Sequence, residues 1–369
     1  MKEILCVKSH NLLVFLILAL FCNSLQAGIV RFYVMKTEPY MDGKAFGNAG
    51  SYIKITGQIY GEVDPADPLN SLIQDINLAP KNKAGHVDYI SDYIIIRPSD
   101  MSKSNGLLFL SLPNRGNAFP ADPVLLSRGY IYAWCAWQGD ILKGNNRLLM
   151  RVPYAGINGE EVSGIHRTEY QVNASAKTVN LGNGFFTGQS HHSYETVNLD
   201  NTGFTLTKRV LESDERILIP NADWAFSDCS VRRFPGVPDE KKLSLKDEFQ
   251  PGYIYELIYD AKNPLILGLG FAAIRDFTSF IRNEMKDRSG FPNPLITEGM
   301  KVNPVKAAIM QGVSQCGNFA RTFLFLGFNK DENGKQVFDG VNAHVGTRRI
   351  ALNVRFGRPG GGGLQHEDH

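Results

Sequence analysis

The segment from Pro304 to Leu326 constrains this chain more than any other, because an apolar run of strand length passes directly into a helical period through Gly312-Val313-Ser314-Gln315-Cys316-Gly317. Ala307 to Gln311 reads as a buried strand, and Phe319, Phe323, Leu324 and Leu326 recur at helical spacing behind it. A serine on so sharp a strand-to-helix turn is forced into strained backbone geometry, which requires small residues two positions to either side. Gly312 and Cys316 stand there, so Ser314 is expected at a helix N-terminus with its hydroxyl exposed. A short Gly-x-Ser-x-small pattern also occurs as an ordinary turn; the strand before it and the helix after it are what favour a nucleophile. Cys316 replaces the more usual glycine and crowds the turn.

The surrounding sequence suits an α/β architecture. Leu107 to Leu112 and Tyr130 to Trp134 are nearly continuous apolar runs, as in strands buried on both faces of a parallel sheet. A helix is expected over Leu269 to Met285, where Phe271, Ile274, Phe277, Phe280 and Ile281 fall at three- and four-residue spacing. Gly340 to Val345 reads as a further strand. This alternation predicts a doubly wound, mostly parallel sheet. Ahead of it, Val30 to Tyr40, Ser51 to Gly61 and Val87 to Pro98 form a strand-rich opening section, residues 28–100. Between about Asn145 and Gln250, short polar strands rich in Asn, Gly and Thr read as a β-rich insertion into the domain at 101–369.

At 369 residues, 43% hydrophobic and a net charge of +2, the chain is globular and lacks the basic, aromatic-interleaved runs of a nucleic-acid binder. Lys2 and Lys8, an apolar stretch from Leu12 to Phe21, and Asn23 to Ala27 have the three regions of a secretory signal peptide, with cleavage expected after Ala27. The apolar stretch is about half the roughly 20 residues needed to span a bilayer, so no stable membrane span is expected after cleavage. The mature chain is therefore expected to be exported, either secreted or periplasmic. It keeps Cys135, Cys229 and Cys316, an odd number with no zinc-ligand spacing, and no metal or cofactor is implied.

Five separated segments together resemble one family, the large secreted or periplasmic α/β-hydrolase-domain proteins. They are Leu112-Pro113-Asn114-Arg115-Gly116-Asn117, Trp137-Gln138-Gly139-Asp140, Pro251 to Glu256, Gly268 to Asp276, and Gln311 to Arg321. The resemblance implies the α/β-hydrolase fold, with Ser314 as nucleophile toward an acyl carbonyl. It further implies an oxyanion hole from the Gln315 N–H and the loop holding Arg115 and Gly116. Asn114, Trp137, Gln138, Asp140 and His344 are candidates for a substrate pocket at the carboxyl edge of the sheet, and for the first four a purely loop-shaping role stands beside it. Arg275 and Asp276 read as a structural ion pair or cap, and Arg321 as a surface or packing residue.

His191-His192 reads as a pair of exposed loop histidines, since neighbours on a strand point to opposite faces. Asn173-Ala174-Ser175 fits a glycosylation pattern. In this fold the acid and histidine follow the nucleophile in the chain, on loops after later strands. Downstream of Ser314 stand Asp339, placed before its strand, and His344, His366 and His369, the last two in the solvated end Gln365 to His369. The expectation is therefore that the acid and histidine lie past residue 369, that the chain is a C-terminally truncated member, and that as given it is nearly inactive. The expected activity is that of a serine hydrolase on a small-molecule or polymer-linked ester. The rival expectation is a secreted protein that binds a carbohydrate or other ligand on the same fold without chemistry.

Overall fold

The computed structural model describes residues 28–157, 159–182 and 191–359. The expected signal peptide, His366, His369 and the rest of the C-terminal end lie outside the described residues. Nine strands build the central sheet among the described residues, and seven form its continuous path, with the two-residue strands Ala45–Phe46 and Met150–Arg151 paired beside it. In chain order, the first five of that path are β1 (Gly28–Pro39), β2 (Gly50–Val63), β3 (Val87–Pro98), β4 (Leu107–Ser111) and β5 (Ile131–Cys135). Four strands of the insertion follow, β6 (Ser163–Tyr170), β7 (Thr205–Arg209), β8 (Lys242–Phe249) and β9 (Ile254–Lys262). The chain then returns to the central sheet as β10 (Ala307–Val313) and β11 (Gly340–His344).

The order across the central sheet is β1-β2-β3-β5-β4-β10-β11. From β1 to β5 neighbours run antiparallel, and from β5 through β4 and β10 to β11 they run parallel. The strand-rich opening section thus extends the same sheet that carries Ser314. Strand β5 is buried at every position, as its unbroken apolar run requires. Helix α1 (Pro123–Ser127) covers one face, where Leu126 packs with Tyr52, Tyr132 and Trp134. Helices α2 (Leu269–Asn283) and α3 (Gln315–Phe325) cover the other. They meet through Phe271 and Phe319, stacked with ring centroids 4.7 Å apart, and Phe277 reaches Phe32 and Tyr93 of the sheet.

Helix α2 is so deeply sunk that its charged residues need internal partners. Arg275, with no exposure, bonds Asp276 at 2.7 Å, Asn70 at 2.8 Å and Glu332 at 3.0 Å, while Tyr89 donates to Asp276 at 2.9 Å. The structural ion pair expected from the sequence is present, and it extends to Glu332, whose carboxyl burial raises to about 7. Near the start of α2, a Cβ added to Gly270 would stand 2.0 Å from the Trp137 carbonyl oxygen. Only glycine lets the helix approach so closely, and this contact seats the loop after β5.

The insertion forms four small antiparallel sheets among the described residues, two of them only two-stranded, and its four-stranded one draws in β9, beyond the Gln250 limit suggested by composition. Ile254 to Leu257 are buried in succession, and burial alternates only from Ile258 to Lys262. Register places Glu169 directly opposite Glu256, an unfavourable pairing of like charges. Buried Arg209 resolves it by bonding Glu169 at 2.6 Å and Glu256 at 3.2 Å, and Arg167 and Arg216 add contacts to Glu256 at 2.5 and 2.7 Å. Burial raises the Glu256 carboxyl, but Arg216, Arg167 and Arg209 outweigh it and hold the group at about 2.

Because the folded-state value of Glu256 is depressed, its contribution to stability is present above the ordinary carboxylate range and is lost as pH falls toward about 2. Arg209→Met should destabilise the protein by about 3–5 kcal/mol at neutral pH, the cost of leaving buried charge uncompensated. The deficit should shrink below about pH 4.5, where unpaired carboxylates protonate. Denaturant melts of both proteins between pH 3 and 7 measure this, and a deficit independent of pH would contradict the account. Gly270→Ala should cost about 1–3 kcal/mol through overpacking, read from the same melts.

Candidate active site

Parallel pairing brings three loops to one edge of the sheet. Gln311 is in register with Ser111 on one side and Asn342 on the other, so the chain leaves β4, β10 and β11 at the same level. The first of these loops starts beside the strand of Ser314, with Leu112 N–H donating to Gln311 O at 2.9 Å.

Ser314 sits where the sequence places it, between β10 and α3, with φ 59° and ψ −120°. This conformation is rarely adopted by a side-chain-bearing residue and costs about 1–3 kcal/mol, so its surroundings must enforce it. Ser314 N–H donates to His344 O at 3.0 Å, and Ser314 O accepts from Asn318 N at 3.0 Å. A Cβ on Gly312 would lie 2.0 Å from the Cys316 carbonyl oxygen, which explains the glycine two positions before the serine. At Gly317 a Cβ would lie 2.6 Å from His344 O, and the same backbone packs on Gly346. The serine side chain is exposed and makes no hydrogen bond among the described residues.

Cys316, by contrast, is buried, and its thiol is pushed up to about 12 by burial, against the opposing influence of Arg115 and Trp137. It fills space between the turn and the loop after β5, so a cysteine is accommodated where glycine is more usual. All three described cysteines are free.

The loop after β4 is a tight turn closed by reciprocal 3.0 Å hydrogen bonds between Asn114 and Asn117. Arg115 (φ 52°) and Gly116 (φ 77°) occupy its two central positions, both left-handed as a type I′ turn demands. Trp137 Nε1 donates to Pro113 O at 2.9 Å and anchors it. No acceptor within the described residues engages the N–H groups of Arg115 and Gly116. As the first residue of α3, Gln315 likewise has an N–H with no intrahelical partner, at the positive end of the helix dipole. Arg115 bonds Asn114 Oδ1 at 2.9 Å, and burial lowers its guanidinium from the ordinary value while Cys316 and Asp140 act against that.

Trp137, Gln138 and Asp140 follow β5 and are all buried. Gln315 Nε2 lies 3.4 Å from Gln138 Oε1, linking this loop to the residue after Ser314. Asp140 Oδ2 pairs with His191 Nδ1 at 3.2 Å, and Asp140 O accepts from His192 N at 2.7 Å. Burial raises the Asp140 carboxyl, but His191 and Gln138 outweigh it and hold it below the ordinary range. The expectation of two exposed histidines is corrected here. His191 is 2% exposed and His192 is largely covered, because the insertion folds back onto the sheet edge and the 141–191 bridge seats His191 against Asp140. Pairing across 51 residues leaves no local signal.

His344 lies at the end of β11, exposed, and its backbone rather than its imidazole meets Ser314. Asp339, expected at the wrong end of its strand, is bonded there by Ala308 N and Arg282. Arg321 is exposed and donates to Gly346 O at 2.9 Å. Among the described residues there is no group of three or more metal-ligating side chains, and no helix is long and apolar enough to cross a membrane.

The packing of the thiols gives a direct check. Iodoacetamide at pH 8 should alkylate half-exposed Cys229 in the folded protein and leave Cys135 and Cys316 unmodified until it is denatured, as read by peptide mass spectrometry. Native alkylation of Cys316 would show that the turn is more open than described.

A strained, exposed serine thus stands between a parallel strand and a helix, with unengaged N–H groups at Gln315 beside it and at Arg115 and Gly116 in the loop after β4. No curated protein matches the chain. A family model described as alpha/beta hydrolase domain matches residues 61–362, and the chain belongs to that family.

Proposed function

We propose that the protein is a serine hydrolase that cleaves a carboxylic ester or related acyl bond through an acyl-enzyme on Ser314. The observation that carries this reading is the backbone of Ser314, φ 59° and ψ −120°, which presents an exposed hydroxyl beside the Gln315 N–H. In this reading Ser314 Oγ attacks the acyl carbon and loses its proton to a base. The carbonyl oxygen becomes an oxyanion held by N–H groups of Gln315, Arg115 and Gly116, and the alcohol departs with a proton. Asn114, Trp137, Gln138, Asp140 and His344 border the substrate. The apolar N-terminal stretch supports an exported enzyme whose substrate is a small-molecule or polymer-linked ester.

One observation favours a second reading, a secreted ligand-binding protein on the same fold: no histidine among the described residues bonds Ser314 Oγ. A fluorophosphonate probe decides between them, because only an activated serine forms the phosphonyl adduct. The hydrolase reading expects one adduct on the Ser314 peptide in protein that carries the catalytic acid and histidine, and none in Ser314→Ala. Gly116→Ala, whose Cβ would meet Leu148 O at 2.8 Å at a left-handed position, should slow labelling by about 10²-fold, the cost of one misplaced oxyanion donor. An unlabelled, folded wild-type protein, or labelling that survives Ser314→Ala, would leave the binding reading in its place.

A further inference from the structure

The residues around Ser314 hold an unusual number of unsatisfied polar atoms. Arg115 Nε, Gln138 Nε2, Asp140 Oδ1, His191 Nε2 and Gln315 Oε1 are all buried without a well-formed hydrogen bond, although the Gln138 side chain stands near enough to Asp140 to lower its carboxyl. They form one connected set. Gln315 touches Gln138, Asp140 holds His191, and Arg115 feels the charge of Asp140. Each such atom costs about 1–3 kcal/mol while unpaired, so five in one place call for a partner. Arg115 and Gln138 offer N–H donors. Asp140 and Gln315 offer acceptors, and so does His191 Nε2 when Nδ1–H donates to Asp140.

A second observation concerns the outer side of the same cluster. Tyr154, 45% exposed, lies 5.9 Å ring to ring from His192, whose backbone N–H is bonded to Asp140 O. Burial lowers the His192 imidazole from its ordinary value and Lys241 adds to this, against Asp140, so the ring is uncharged at neutral pH. The result is an accessible aromatic surface contiguous with a set of mixed donors and acceptors, in which the charges of Arg115 and Asp140 offset each other.

We infer that this region is a subsite for a neutral, hydroxyl-rich ring of carbohydrate type, stacked by its C–H face on Tyr154 and hydrogen-bonded through its hydroxyls to the Gln138–Asp140–His191 set. That the ring belongs to the ester being cleaved rests on the Ser314 reading; that it binds here does not. An aliphatic group would leave all five atoms unpaired, and an ionic group would meet cancelling charges. A polyol supplies donor and acceptor from every hydroxyl, and sites built to pair such groups discriminate strongly against ligands lacking them. The five atoms are enclosed in the free protein, so binding includes side-chain adjustment of the kind common at interfaces.

The test uses the full chain carrying Ser314→Ala, which removes turnover, and saturation-transfer NMR with methyl β-D-glucopyranoside, methyl β-D-xylopyranoside and 1-hexanol. At least one glycoside should bind saturably and more tightly than hexanol, with Kd raised about tenfold or more by Tyr154→Ala and by Gln138→Leu. Tyr154 is on the surface, so its variant reports even if the buried Gln138→Leu fails to fold. Absence of glycoside binding, equal binding of hexanol, or glycoside affinity unchanged by Tyr154→Ala would overturn the inference. Fluorophosphonate labelling of the unsubstituted protein separates the two ideas. Ser314 labelled without glycoside binding defeats the subsite alone, and glycoside binding without labelling defeats the hydrolase reading alone.

Discussion

The left-handed backbone of Ser314 is the constraint on which the rest of this edge depends. It would relax were it not clamped from three directions: the His344 carbonyl on its own N–H, the Cys316 carbonyl against Gly312, and the Gly317–Gly346 approach beneath the helix. Each clamp uses backbone rather than side chain, so the strain of about 1–3 kcal/mol is spread over β10, α3 and the loop after β11. The parallel register of β4, β10 and β11 makes this possible by ending three chain segments at one level.

A second layer of constraint ties the insertion to the same edge. Trp137 is held at both ends, by its indole on Pro113 and by its carbonyl against Gly270, and so fixes the loop after β5. Asp140 at the end of that loop captures His191, a residue of the insertion, in a buried pair. Farther out, Arg209 reconciles two opposed carboxylates, so the insertion's sheet is internally locked as well. Together these contacts tie a segment of mixed polar sequence to the loop after β5.

Much of this was readable from the chain alone, for identifiable reasons. The strand-turn-helix at Ser314 was legible because small residues at fixed offsets and a change from continuous to helical periodicity are local signals. Helix α2 and the fully buried β5 announced themselves in the same way, and Arg275 beside Asp276 on an apolar helix foretold an internal ion pair. The histidines were misread because burial of His191 comes from a fold-back over a long stretch of sequence, and local polarity pointed the other way. Strand β9 joins the insertion's four-stranded sheet by register, although it lies past the stretch whose composition marks the insertion.

Read alone, the chain yields an α/β sheet and an exposed serine at a strand-to-helix turn, since periodicity and glycine placement act over a few residues, and the α/β-hydrolase family follows from the resemblance of five separated segments. Which segments meet along the edge of the sheet that carries that serine follows from the folded chain instead. The Asn114–Asn117 turn, the Asp140–His191 pair and the Gln138–Gln315 link join positions from four parts of the chain. Their meeting is set by strand order and by close backbone packing at Gly270 and Gly317, quantities that exist only once the sheet has formed.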